Sequence, residues 1–201
     1  MKPPATSPIG GIILAGGQAR RMGGGDKALL MLGGESLLTR AIARIRPQID
    51  LLLLSANGDP ARFRHFGLPV LADPIGDQWG PLAGILAGLD YLADKRPDIT
   101  LMASFAADTP FLPTDLVARL LAAREREGAE LAMAESDGHA QPVFALWPVA
   151  LAGDLRRALQ GGLRKVEDFA RRYPLARAAW PEAAFFNINR PDDLQAAAKR
   201  L

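Results

Sequence analysis

Short apolar runs that stop at a glycine or a polar residue alternate along the chain with longer segments in which apolar residues recur every three or four positions. The first run, Gly11-Ile12-Ile13-Leu14-Ala15, leads directly into glycines and predicts a buried parallel strand opening into a loop. Residues 51–54, 69–72 and 99–103 predict further inner strands, each finishing just before a polar side chain. Between them, Ser36 is expected to cap a helix that carries Leu37, Leu38, Ala41, Ile42 and Ile45 on one face and ends at Pro47. Residues 82–92 predict a second helix, and residues 115–127 a third, entered through Pro113 and Thr114. Beyond residue 127 the rhythm changes. Residues 129–134 and 142–146 read as two strands joined through Ser136-Asp137-Gly138, followed by helices over 149–159 and 165–172. A last short strand, Phe185-Phe186-Asn187, is expected before a helix over 191–199.

This order predicts a Rossmann-like three-layer α/β/α sandwich whose sheet is mostly parallel, with antiparallel additions in the second half. In such sheets ligands bind beyond the carboxyl ends of the strands, near the point where strand order reverses. The residues that follow the apolar runs, Gly16, Ser55, Asp73 and Asp108, are therefore expected along one edge.

The 201 residues suit one domain over residues 9–201, preceded by a flexible leader over 1–8 that holds Pro3, Pro4 and Pro8. That leader lacks the apolar stretch of a signal peptide, and no run elsewhere approaches a membrane span. With 24 Lys and Arg against 22 Asp and Glu, the net charge of +2 provides no broad field for nucleic acid, so any anion must be held locally. Cysteine is absent, which excludes disulfides, thiolate zinc sites and a cysteine nucleophile, and fits a cytoplasmic location. His65 and His139 are the only imidazoles, too few for a histidine-built metal site.

The most informative stretch runs from residue 14 to residue 27, Leu-Ala-Gly-Gly-Gln-Ala-Arg-Arg-Met-Gly-Gly-Gly-Asp-Lys. Its five glycines allow the backbone N–H groups to approach an anion closely, and Arg20, Arg21 and Lys27 supply charge to neutralise phosphate. It is neither a Walker loop, because Ala28 follows Lys27 where Ser or Thr is needed, nor a dinucleotide fingerprint. A solvated surface loop is the plainer alternative. Asp108, in Ala107-Asp108-Thr109-Pro110, would present a carboxylate suited to magnesium at the end of its strand; a turn that only caps the next helix is the competing reading. In Gly80-Pro81-Leu82-Ala83-Gly84 the glycines would admit a flat base close to the backbone, with Gly84 opening a helix; a tight packing contact is the other reading.

These segments resemble the nucleotidyltransferases of the molybdenum cofactor guanylyltransferase family, in the glycine loop, the Asp-Thr-Pro and the Gly-Pro-Leu-Ala-Gly, and the resemblance runs from about residue 12 to residue 194. It implies the nucleotide-diphospho-sugar transferase fold, with Leu14, Ala15, Gly16 and Gly17 at the nucleotide, Lys27 on its phosphates and Arg21 assisting. It also implies nucleotide contacts at Asp73, Gly80 and Gly84, and at Ser55 or Asn57. The family usually has Asn where Ser55 stands, so which of the two serves is left open. Asp108 would hold Mg2+. Two segments, His139-Ala140-Gln141-Pro142-Val143 and Gly161-Gly162-Leu163-Arg164-Lys165-Val166, resemble the acceptor side. Gln141, Arg164, Lys165 and Asn187 are expected there, Asn187 also near the metal, whereas Asn189 is expected to cap the last helix.

The implied reaction is transfer of GMP from GTP to molybdopterin with release of pyrophosphate. Partners would be GTP, the pterin, and transiently the cofactor-synthesis proteins and molybdoenzymes. Cytidylyl transfer, transfer to a sugar phosphate, and non-catalytic nucleotide binding on the same fold are the alternatives.

Overall fold

The computed structural model describes residues 7–16, 26–75 and 79–201. The expectations for Gly17 and Arg21 lie outside the described residues. The chain begins with β1 (Ile9–Leu14), a small antiparallel hairpin of β2 (Met31–Leu32) and β3 (Glu35–Ser36), helix α1 (Leu37–Ile45), β4 (Leu51–Ser55) and β5 (Val70–Leu71). Then follow α2 (Pro81–Lys95), β6 (Leu101–Ala106), α3 (Leu116–Glu127), β7 (Leu131–Ser136), β8 (His139–Pro148), α4 (Ala152–Gln160), α5 (Val166–Ala170), β9 (Leu175–Trp180) and α6 (Pro191–Ala198). Ser36 caps α1 as expected, its hydroxyl accepting the Thr39 N–H at 3.0 Å.

Among the described residues, seven strands form one sheet in the order β5-β4-β1-β6-β8-β7-β9. All neighbouring pairs are parallel except those made by β8, which runs against both β6 and β7. Both faces are covered, so the two-residue alternation of a strand sorts apolar side chains between two buried layers rather than between core and solvent. Ile13, Leu54, Ala103 and Phe105 pack with α1 and α3 through Leu38, Ile45, Leu116 and Leu120. Their neighbours Ile12, Leu53 and Met102 point the other way, onto α2, α4 and α5 through Ile85, Leu89, Leu155 and Phe169. A third, smaller cluster of Leu32, Leu37, Ile188 and Ala197 seats α6 against the β2–β3 hairpin.

The strand order fixes where a ligand can enter. From β1 the chain steps outward to β4 and β5, then returns through α2 to β6 on the opposite side of β1. The connections leaving β1 and β6 therefore diverge and open a crevice at their carboxyl ends. There Leu14 pairs with Ala106, and the Ala107 N–H donates to the Leu14 carbonyl at 3.2 Å, which brings the first residues of the glycine-rich segment next to the chain that carries Asp108.

Two departures from expectation concern the second half. Residues 185–187 form no strand: a single 3-10 turn over Glu182–Phe185 runs into extended chain, and the last strand is instead β9, parallel to β7. In addition, β8 is irregular. Met133 pairs with Ala145 but its neighbour Ala134 pairs with Gln141, so Pro142, Val143 and Phe144 loop out of the ladder. The fully buried Ser104 secures this bulge: its hydroxyl donates to the Val143 carbonyl at 2.5 Å and accepts the Trp147 indole N–H at 2.9 Å. Ser104→Ala leaves both groups short of a buried partner and is expected to lower the free energy of unfolding by about 1–3 kcal/mol in urea titrations.

Candidate functional site

A cavity of about 350 Å³ opens at the carboxyl ends of β1, β4 and β6. Leu14, Ala15 and Gly16 line it from β1, Ser55 and Asn57 from β4, Asp73 from the segment after β5, and Ala106, Ala107 and Asp108 from β6. Gly80, Pro81 and Gly84 add the start of α2, Lys27 and Ala28 a short 3-10 turn, Gln141 to Phe144 the β8 bulge, and Asn187 the extended chain before α6. Residues from eight separate segments thus surround one space of a size suited to a small-molecule ligand.

At one end, Lys27 Nζ donates to Asp108 Oδ2 at 2.5 Å and to Asn189 Oδ1 at 2.6 Å. With 14% of the Lys27 side chain and 24% of the Asp108 side chain exposed, the pair is shielded yet reachable from the cavity. The chain around Asn189 is held on both sides. Asp108 receives the Ile188 N–H on its carbonyl at 3.0 Å, and the fully buried Thr109 donates its hydroxyl to Asn187 Oδ1. Asp193, in the first turn of α6, accepts the N–H groups of Asn189 and Arg190, each at 2.8 Å.

At the other end, Ser55 and Asn57 converge on Asp73. Asn57 donates its amide to Asp73 Oδ2 and accepts the Asp73 N–H, both at 2.9 Å, and the Ser55 hydroxyl donates to Oδ1 at 3.4 Å. Ser55, Asn57 and Asp73 thus form a three-residue cluster, and all three line the cavity.

Two sequence expectations, for Gly84 and Asn189, need correction, and the basic pair Arg164 and Lys165 lies away from the cavity. Gly84 does not open α2; Gly80 is its N-cap and Pro81 its first residue, while Gly84 lies one turn inside. A Cβ there would come within 2.5 Å of Ser55 Oγ and 2.7 Å of Leu14 Cδ2, so the packing reading applies to it even though its backbone borders the cavity. Arg164 and Lys165 do not line the cavity among the described residues. The Arg164 guanidinium instead lies over the Trp79 ring, 3.4 Å from its centroid, with Nη1 donating to the Leu163 carbonyl at 3.0 Å. Asn189 is not a cap, since Arg190 occupies the N-cap of α6 and the Asn189 side chain turns to Lys27. The signal for it lay in the spacing: Asn187 and Asn189 stand two apart, which in extended chain would place both on one face.

Residues 11–175 match the family described as MobA-like NTP transferase domain. The chain belongs to this family. Among its relatives, the molybdenum cofactor guanylyltransferase of Rhodopseudomonas palustris strain HaA2 is 58% identical over 190 residues, covering 92% of this chain and 89% of the relative. The crystal structure of molybdopterin-guanine dinucleotide biosynthesis protein A from Archaeoglobus fulgidus is 24% identical and superimposes with a TM-score of 0.74 over 95% of this chain and 97% of that one. The structure of Rv0371c from Mycobacterium tuberculosis in complex with manganese, at 18% identity, gives a TM-score of 0.72 over 96% of this chain and all of its own (100%). The three-layer fold is thus that of MobA-like NTP transferases.

The close contact at Gly84 makes a specific demand on this family member. Gly84→Ala forces Ser55 and Leu14 aside within a packed wall and is expected to cost about 1–3 kcal/mol of stability, read from the shift in denaturant midpoint.

Proposed function

We propose that this protein transfers GMP from GTP to molybdopterin, releasing pyrophosphate and forming the guanine dinucleotide form of the cofactor. The observation that carries the reading is the meeting of Lys27 and Asp108 at the point where the sheet reverses, in a cavity floored by the start of the glycine-rich segment. The 58% identical relative carries the name of that activity.

In the reaction a phosphate oxygen of molybdopterin forms a bond to the α-phosphorus of GTP as the bond to the bridging oxygen of pyrophosphate breaks. The acceptor phosphate is already ionised near neutral pH, so no general base is required. The burden falls on alignment and on neutralising charge that moves to the leaving group. Lys27 would exchange its Asp108 carboxylate for a phosphate oxygen, while Asn189 keeps the ammonium aimed into the cavity. Leu14, Ala15, Gly16 and Gly17 would carry the nucleotide along the backbone, with Arg21 assisting at the phosphates. The Ser55, Asn57 and Asp73 cluster, with Gly80 and Gly84, would receive the nucleoside end. Gln141 and Asn187 would border the pterin.

A divalent cation fits the donor set. Asp108 offers one hard carboxylate oxygen at the cavity. That is the arrangement expected for magnesium, which takes its other ligands from substrate phosphates, water and at most a neighbouring amide such as Asn187. When bound, Mg2+ would supply positive charge against the triphosphate. The manganese complex of Rv0371c supports divalent metal use on this fold. No helix among the described residues is long and apolar enough to cross a membrane. Kinship to a biosynthetic enzyme supports a cytoplasmic location, and the match over residues 11–175 supports one domain over residues 9–201.

Pyrophosphate release with molybdopterin and each of GTP, CTP, UTP and ATP in turn tests the proposal. GTP is expected to support turnover, and turnover with CTP or UTP in its place would sink the guanylyl assignment. Lys27→Ala is expected to lower turnover by at least about 10²-fold, roughly 3 kcal/mol of transition-state stabilisation, in a protein that stays folded by circular dichroism. Asp108→Ala is expected to abolish the magnesium-dependent rate, measured across a metal titration.

A further inference from the structure

A carboxylate immediately before the cation that faces a triphosphate should repel the ligand that cation attracts. Asp26 occupies that position, yet its side chain is turned to Arg62: Oδ2 lies 2.6 Å from Arg62 Nε in a close ionic contact. Arg62 is fixed in a 3-10 turn over Pro60–Phe66 that is capped by Asp59 and anchored by the fully buried Phe63, above whose ring the guanidinium lies at 4.8 Å. Its Nη2 donates to the Asn57 carbonyl at 2.5 Å and its Nη1 to the Asp59 carbonyl at 3.2 Å. Gly58 admits the group, since a Cβ at that residue would come within 2.8 Å of Nη1 and its φ is +82°. Asn57 in turn grips Asp73 through two hydrogen bonds of 2.9 Å. A continuous polar chain therefore runs from the residue before Lys27, through Arg62, to the cluster at the opposite end of the cavity. Neither Asp26 nor Arg62 lines that cavity among the described residues.

We infer that Arg62 is a positioning residue for nucleotide binding: it draws the Asp26 carboxylate away from the phosphate end and sets the spacing between Lys27 and the Asn57–Asp73 pair. The inference rests on the assignment of this cavity to GTP. Arg suits the role and Lys does not, because one planar fork must serve a carboxylate and two carbonyls in different directions. Fixing both ends of the cavity in advance lowers the ordering cost that the ligand would otherwise bear. The side chains of Arg62 and Asp26 are 30% and 26% exposed, so the contact is accessible enough to be broken without opening the hydrophobic core.

The test is calorimetric binding of GTP with magnesium to the wild type, Arg62→Ala, Arg62→Lys, Asp26→Asn and the Asp26→Asn/Arg62→Ala double variant, with melting curves alongside. Arg62→Ala is expected to weaken binding by about tenfold or more, the scale of losing a charge-assisted contact in a half-buried site. In turnover assays KM should rise more than kcat falls. Arg62→Lys should still bind more weakly than the wild type, and it carries the test if the alanine variant does not fold. The double variant should recover part of the affinity lost in Arg62→Ala, because the stranded carboxylate is gone; a residue that only braced the fold would show no such recovery. Wild-type affinity in both Arg62 variants overturns the inference, as does a double variant whose loss is simply the sum of the two single losses. Failure of the wild type to bind GTP overturns the nucleotide assignment itself, a distinguishable result.

Discussion

The ammonium of Lys27, held between Asp108 and Asn189, is the contact on which the candidate site turns. Its three members stand far apart in sequence and arrive by different routes: a short turn after the first strand, the end of the sixth strand, and the extended chain before the last helix. Strand order makes the meeting possible. Because β1 and β6 are neighbours whose connections leave in opposite directions, a residue two positions past Ala106 comes to share one cavity with Ala15 and Gly16. Lys27 and Asp108 neutralise one another, so a ligand that brings both negative charge and a cation can engage each of them without leaving the other uncompensated.

The scaffold beneath this contact is stiff for a reason rooted in the strand sequences. Pairs such as Ile12 with Ile13 and Leu53 with Leu54 bury successive side chains on opposite faces, so each central strand is gripped by helices from both sides. Rigidity at the β-strand ends is passed to the cavity through close contacts, among them Gly84 against Ser55 and Ser104 beneath the β8 bulge. Polar residues at the rim are consequently placed by packed backbone rather than by mobile chain.

Much of this was legible in the amino-acid order because local chemistry and tertiary role coincide. Apolar runs ending in Gly16, Ser55 and Asp108 mark inner strands, and the topology of alternating strands and helices then gathers those ends on one edge. The order was less informative where tertiary context decides. β9 reads Leu-Ala-Arg-Ala-Ala-Trp, with alanines too small to betray a buried face, and it is made a strand by pairing with β7. Phe185 and Phe186 suggest a strand by composition, but Phe185 packs against Phe144 and Trp180 and the chain there follows that packing instead. Arg164, in a basic pair beside glycines, invites a phosphate-ligand reading, but its packing over an aromatic ring more than eighty residues earlier carries no signal in the local order. Arg62 carried no pattern at all, since its meaning lies wholly in the distant Asp26 that it meets.

The route by which Asn189 reaches Lys27 has a consequence for biosynthesis. The sheet can begin to assemble as soon as β1, β4 and β6 have left the ribosome, since these strands pair with one another and draw their helices from the same stretch of chain. The amide that steadies the Lys27 ammonium is synthesised some eighty residues after Asp108, and Asp193, which fixes its backbone, comes later still. A nascent polypeptide can therefore pair its central strands while the contacts around Lys27 are still incomplete, and those contacts close only when the final helix has been made.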